Sequence, residues 1–127
     1  MIKLSGEALL GNKEFGIDSN IVDKITSDIS EISKLNVQIC IVVGGGNIFR
    51  GVAGASQGIE RGTADSMGML ATVINSMAIQ NSIEKHNIPS RVLSAVPMQT
   101  VCEPFIRRRA HRHLEKGRIV IFAGGTG

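Results

Sequence analysis

Apolar residues recur at helical spacing in two segments of the chain. The first segment follows Asp18, a residue type that caps helices, and its opposite side is charged. Its apolar stripe comprises Ile21, Val22, Ile25, Ile29, Ile32 and Leu35. The second segment opens at Thr63 and Asp65 and is stopped by Asn87–Pro89, since proline disfavours a helical residue before it. One side of it carries Met67, Leu70, Ile74, Met77, Ala78 and Ile83. The stretch Met67–Leu70 favours helix packing over a special site, and Gly68 within it leaves an intersubunit contact open.

A third helix is predicted from Glu103–Pro104 to Lys116, with Gly117 as its cap. Proline is favoured in the first turn of a helix, and glycine is favoured directly after the last one. This segment contains the most basic stretch of the chain, with Arg107, Arg108, Arg109 and Arg112. Positive charge runs around most of the predicted helix, which is typical of a solvated surface.

Short runs rich in β-branched residues separate the helices. They predict four strands, at Met1–Leu4, Val37–Val43, Arg91–Val96 and Arg118–Ala123. Strands and helices therefore alternate, and the inner strands are almost continuously apolar. Both features favour an α/β fold, a three-layer α/β/α sandwich whose mainly parallel sheet has helices on both faces.

Glycine follows three of the predicted strands, in Ser5–Gly6, Gly44–Gly46 and Gly124–Gly127. In an open parallel sheet, ligands bind beyond the carboxyl ends of the strands. Glycine lacks Cβ, so backbone N–H groups there can approach an anion closely. The pattern predicts a phosphate-binding edge, and the alternative is three ordinary tight turns. No Walker motif is present, and GxGxxG fails at Phe49.

Three charged residues lie in or beside these segments. Lys3 ends the first strand, where an ammonium group can offset the charge of a transferred phosphoryl. Arg50 follows the triple glycine and can clamp phosphate oxygens. Asp65, in the first turn of a helix, can accept hydrogen bonds from ligand hydroxyls. The simpler alternatives are a solvated lysine, a loop arginine and a helix cap.

Composition bounds the size and the partners. The 127 residues suit one domain, and the net charge of +3 suits an anionic small ligand as well as nucleic acid. The absence of Trp and Tyr argues against a stacking platform for single strands, and no nucleic-acid-binding module is recognisable. We therefore expect no nucleic-acid partner.

Cysteine usage and hydropathy indicate the compartment. Cys40 and Cys102 form no CxxC pair, so we expect two reduced, buried thiols and no metal ligands. No signal peptide is recognisable, and no apolar run approaches the ~18 residues of a membrane span. These observations predict a cytoplasmic protein without a membrane partner.

Four segments together resemble the bacterial uridylate (UMP) kinases of the amino-acid-kinase superfamily. They are KLSGEAL at Lys3–Leu9, GGGNIFRG at Gly44–Gly51, TADSMGMLATVIN at Thr63–Asn75 and CEPFIRRR at Cys102–Arg109. The first two motifs belong to the wider superfamily, whereas the last two are more specific to the uridylate kinases. The resemblance covers essentially the whole chain.

The resemblance implies transfer of the γ-phosphoryl group of ATP to UMP, with Mg²⁺, by a cytoplasmic homohexamer of pyrimidine biosynthesis. Family members are often activated by GTP and inhibited by UTP. The region where GTP acts is basic in the family, whereas this chain has Gln80 and Glu84 there, which argues against control by GTP. The implied ATP-binding residues are Lys3, Leu4, Ser5, Gly6, Gly46 and Arg50, with Lys3 and Arg50 catalytic and no metal ligands. The implied UMP-binding residues are Gly45, Asp65, Thr126 and Gly127.

The family pattern continues beyond Thr126–Gly127 into a second half. We therefore expect residues 1–127 to be the N-terminal, UMP-binding part of an amino-acid-kinase domain. The C-terminal, ATP-binding part is absent, and the piece alone is expected to be inactive. Two alternatives are another amino-acid kinase, acting on a carboxylate or carbamate, and a non-catalytic nucleotide-binding or oligomerisation module.

Overall fold

Five parallel strands form one sheet in the computed structural model, which describes residues 1–49 and 56–125. The strands are β1 (Ile2–Leu4), β2 (Cys40–Val43), β3 (Ser90–Ser94), β4 (Glu103–Pro104) and β5 (Ile119–Ala123), in the spatial order β1-β2-β5-β3-β4. A 3-10 helix spans Gly6–Leu9. The α-helices are α1 (Ser19–Ser33), α2 (Arg61–Glu84) and α3 (Arg107–Glu115).

Two apolar clusters lie on opposite faces of the sheet. In β5, Ile119 and Ile121 belong to the larger cluster, while Val120 belongs to the smaller one. The larger cluster also takes in residues of α1 and α2, and the smaller one contains Ala110 of α3. Successive residues of a strand point to opposite faces, so β5 separates two helical layers. The predicted three-layer parallel α/β fold is confirmed.

Helix α1 follows the predicted periodicity over most of its length. The Asp18 carboxylate accepts hydrogen bonds from the backbone N–H groups of Asn20 and Ile21, at 3.0 and 3.4 Å, as expected of a helix cap. Val22 and Ile29 are buried at the centre of the stripe. The prediction is wrong for Leu35, which lies beyond the end of the helix and is 71% exposed.

Helix α2 leaves most of its apolar side exposed within this chain. Four members of that side are exposed by 38–48%, namely Met67, Leu70, Ile74 and Met77. The buried residues are Ala64, Ala71, Val73, Asn75, Ser76, Ile79, Ser82 and Ile83. The side facing the sheet thus consists largely of small and polar residues, which allow close approach. Periodicity located the apolar stripe, but spacing alone left its environment open.

The prediction that α3 begins at Glu103–Pro104 is wrong. These two residues form β4, which pairs in parallel with Leu93 and Ser94. The pairing continues in a hydrogen bond of 2.8 Å from Phe105 N to Ser94 O. Proline cannot donate to a sheet, but an edge strand needs no donor on its outer side. The helix therefore starts only at Arg107.

Smaller departures concern strand ends and thiols. Strand β2 starts at Cys40 rather than Val37, which is half exposed, and β3 covers Ser90–Ser94 rather than Arg91–Val96. Cys40 and Cys102 are free but half-buried, and partial burial raises the pKa of both thiols. No helix in the described ranges is long and apolar enough to cross a membrane.

Candidate functional site

Glycine segments follow three neighbouring strands at one edge of the sheet. Because β1, β2 and β5 are adjacent and parallel, Gly6, Gly44 and Gly124 lie beyond the same edge. The first two segments are joined by a hydrogen bond of 2.9 Å from Gly44 N to Leu4 O. The predicted convergence of the three segments is confirmed for their described residues.

Close packing requires glycine at two positions in these segments, Gly6 and Gly45. A Cβ on Gly6 would lie 2.5 Å from the backbone nitrogen of Gly46. A Cβ on Gly45 would lie 2.7 Å from Cβ of Ala71 and 3.0 Å from the carbonyl oxygen of Gly68. The turn at Gly44–Gly46 is therefore held between the start of the 3-10 helix and the side of α2.

Two buried asparagines, Asn47 and Asn75, hold the same turn. Asn75 Nδ2 donates to Asn47 Oδ1 at 2.7 Å, and Asn47 Nδ2 donates back to Asn75 Oδ1 at 3.0 Å. Asn75 Nδ2 also reaches Gly44 O at 2.8 Å, and Asn47 Nδ2 reaches Gly16 O at 2.9 Å. Sequence reasoning missed this amide pair, although an asparagine within an apolar helix was a visible signal.

The residues around Lys3 occupy different environments. Lys3 is exposed in β1, opposite Val42 in the register. Leu4 is half-buried and packs against the larger apolar cluster, so its backbone rather than its side chain is available at the edge. The Ser5 hydroxyl accepts a hydrogen bond from Ala8 N at 3.3 Å and caps the 3-10 helix.

Asp65 lies near the start of α2, one turn before Gly68, the residue against which Gly45 packs. Its carboxylate Oδ1 is 3.0 Å from Nε of Arg61, and both side chains are more than half exposed. Glu60 caps the same helix by accepting hydrogen bonds from the backbone N–H groups of Gly62 and Thr63. These hydrogen bonds lower the pKa of the Glu60 carboxyl group. Carboxylates thus gather at the positive end of the helix dipole.

Arg50, Thr126 and Gly127 lie outside the described residues. The other predicted site residues are Lys3, Leu4, Ser5, Gly6, Gly45, Gly46 and Asp65. The glycine edge brings together residues 3–6 and residues 45–46. Asp65 lies on α2, the helix against which Gly45 packs. Their roles stay predictions.

Two cavities differ in their relation to this edge. A groove of about 410 Å³ opens at the ends of β3 and β5 and is lined by Leu93, Ala95, Phe105, Phe122, Ala123 and Gly125. A cleft of about 550 Å³ lies instead between α2, β3, β4 and α3. That larger cleft includes Gln80 and Arg91 but none of the predicted site residues, so size alone does not locate the chemistry.

The sequence profile described as the amino acid kinase family matches residues 1–127. The chain belongs to the amino acid kinase family. The chain is similar to the uridylate kinase of Paramagnetospirillum magneticum, with 59% identity over 127 residues, covering 100% of this chain and 53% of the relative. The chain spans about half the length of the curated relatives it matches.

Solved structures agree with the family assignment. The UMP kinase from Bacillus anthracis superimposes with a TM-score of 0.93 at 42% identity, covering 99% of this chain and 52% of that one. The UMP kinase from Ureaplasma parvum gives 0.92 at 36% identity, covering 99% and 55%. The described fold is therefore about half of the fold in these relatives.

Proposed function

We propose that the protein containing this amino acid kinase chain is a UMP kinase, which transfers the γ-phosphoryl group of ATP to UMP and gives UDP and ADP. The observation that carries the proposal is the meeting of glycine segments from β1, β2 and β5 at one edge. Similarity to uridylate kinases along the whole chain supports the substrate assignment. Residues 1–127 would form the N-terminal, UMP-binding part.

The proposed mechanism relies on positioning and charge. Leu4, Ser5, Gly6 and Gly46 would bind ATP phosphates, while Lys3 and Arg50 would offset charge on the transferred group. Gly45, Asp65, Thr126 and Gly127 would hold UMP. Gly45 and Gly46 are consecutive, so donors for the two substrates are adjacent, as direct transfer without a covalent nucleophile requires.

Magnesium would enter with ATP. Within residues 1–49 and 56–125, no group of three or more His, Cys, Asp or Glu side chains could hold a metal ion. Mg²⁺ is commonly bound by only one or two protein carboxylates, together with substrate phosphates and water. Backbone N–H groups suit phosphate oxygens and not a cation, so the glycine segments would act on the phosphates and not on the metal.

Substrate choice separates this proposal from other enzymes of the family. A coupled assay for ADP with the whole protein is expected to give turnover with UMP. Faster turnover with aspartate, glutamate or carbamate would favour another amino acid kinase instead. Absence of turnover with all four substrates, together with UMP binding, would favour the non-catalytic module.

The Asp65→Asn variant of the whole protein should show a KM for UMP raised about tenfold, because a hydrogen bond from a ligand hydroxyl to a carboxylate is worth about 1.5–3 kcal/mol. The Arg61→Ala variant is the matched control, since it breaks the same ion pair and keeps the carboxylate. An exposed pair of this kind contributes little to stability. Equal KM values for both variants would contradict a UMP-binding role of Asp65.

We also propose a cytoplasmic homohexamer, supported by the exposed stripe of Met67, Leu70, Ile74 and Met77 on α2. The stripe is symmetric about Thr72, so an antiparallel two-fold contact would pair Met67 with Met77 and Leu70 with Ile74 of a second copy. Such a surface needs cover from water. The two free cysteines are compatible with the reducing cytoplasm.

The Ile74→Asp variant of the whole protein should sediment as a smaller assembly, because a carboxylate would be buried at the two-fold contact. Ser27→Glu, on the exposed side of α1, is the control and should leave the mass unchanged. An unaltered mass for Ile74→Asp in analytical ultracentrifugation would exclude this stripe as the contact.

A further inference from the structure

We propose that the amide pair of Asn47 and Asn75 is a positioning device that fixes the Gly44–Gly46 turn for phosphate binding. Neither residue is proposed to touch a substrate, and both act through the backbone of the turn. The kinetic part of this inference rests on the proposed UMP kinase activity, whereas its structural part does not.

All four amide N–H donors of the pair are used in hydrogen bonds. Each asparagine has two amide N–H donors, and each spends one on its partner and one on a backbone carbonyl. Both side chains are at least 98% buried, since their exposures are 2% for Asn47 and 0% for Asn75. Burying two amides gains little over an apolar pair of similar shape, so stability alone does not explain them.

The carbonyl oxygens that accept hydrogen bonds from the pair identify what it holds. Gly44 O lies just beyond the end of β2, and Gly16 O lies in the segment before α1. Gly16 N also donates to Asn47 O at 2.9 Å. Glycine has more backbone freedom than any other residue, so a turn of three glycines keeps one conformation only if outside groups fix it.

Helix α2 fixes a second glycine segment through Thr72. The Thr72 hydroxyl accepts a hydrogen bond of 2.7 Å from Gly124 N and donates to Met69 O at 2.6 Å. Thr72 and Asn75 are three residues apart and therefore neighbours on the helix surface. One helix thus sets the separation between the turn after β2 and the segment after β5.

The test compares Asn75→Ala with Ser82→Ala in the whole protein. Ser82 is buried on the same helix but contacts Thr26 and Asp23 of α1, so its loss weakens packing without touching the glycine edge. Hydrogen exchange of the amides at residues 44–49 should accelerate at least about tenfold in Asn75→Ala and stay unchanged in Ser82→Ala. Unchanged exchange in Asn75→Ala overturns the proposal.

Steady-state kinetics supply the second readout. Asn75→Ala should lower kcat/KM for both ATP and UMP by about ten- to a hundredfold, as small displacements of binding groups do. Ser82→Ala should stay within about twofold of the unmodified protein at a temperature where both variants are folded. Equal kinetic losses in the two variants would reduce the amide pair to a packing role.

If Asn75→Ala does not fold, Asn47→Ala takes its place, because Asn75 then keeps its bond to Gly44 O. Exchange should accelerate there at Gly16 as well, and unchanged exchange again overturns the proposal. A whole protein that turns over no UMP refutes the UMP kinase proposal alone, since hydrogen exchange still decides whether the pair fixes the turn.

Discussion

Replacing Lys3 by methionine in the whole protein is expected to lower kcat by about 10²- to 10³-fold, the usual cost of removing one group that stabilises charge in a transition state. The KM for UMP should change little, because Lys3 is assigned to the transferred phosphoryl. Methionine keeps the apolar stem and a similar length, so the change removes mainly the charge. Initial rates at saturating ATP and UMP measure the effect.

Loss of the Lys3 side chain is not expected to disturb the fold. Lys3 is exposed, and it takes part in none of the ion pairs found among the described residues. Its loss therefore breaks no internal bond that the structure describes. Lys24→Met, on the exposed side of α1, is the control and should leave kcat within about twofold. A similar kcat for the two variants would remove Lys3 from the mechanism.

Gly6→Ala is expected to lower the free energy of unfolding by about 3 kcal/mol and to abolish activity of the whole protein. The added Cβ would lie 2.5 Å from Gly46 N and 2.6 Å from Asn47 Oδ1. Neither atom can withdraw freely, because one is backbone and the other belongs to the buried amide pair. Denaturant unfolding measures the first effect, and ADP release measures the second.

Gly68→Ala is the matched control for adding a methyl group. Nothing described lies within 4 Å of a Cβ at Gly68, and alanine is favoured over glycine in a helix by about 1 kcal/mol. This variant should therefore unfold at a slightly higher denaturant concentration. A Gly6→Ala variant as stable as Gly68→Ala would show that the close approach of Gly6 to the turn is absent in solution.

The features that the sequence predicted correctly are those decided locally. The cap at Asp18 and the buried centre of α1 follow from the spacing of a few neighbouring residues. The shared edge of the glycine segments also follows, because a parallel sheet places the carboxyl ends of all its strands on one side. That the segments are neighbours depends on the strand order, which the structure supplies.

The features that sequence reasoning missed depend on distant partners. Glu103–Pro104 carries a helix-start signal, but pairing with β3 outweighs it. The stripe at Leu70 and Ile74 has helical spacing, yet spacing does not tell whether a sheet or a second copy covers it. Asn47 and Asn75 are 28 positions apart, so only the fold reveals that they meet.

Helix α2 has consequences for which changes of length the chain can tolerate. Thr72 and Asn75 face the glycine segments, while Leu70, Ile74 and Met77 lie on the exposed side, so the two sets interleave within eight residues. One inserted residue turns everything beyond it by about 100° around the helix axis. Inserted before Asn75, it would place Ile74 under the glycine turn and move the Asn75 amide away from its partners. Natural variation within this stretch should therefore consist of substitutions, with insertions and deletions kept outside it.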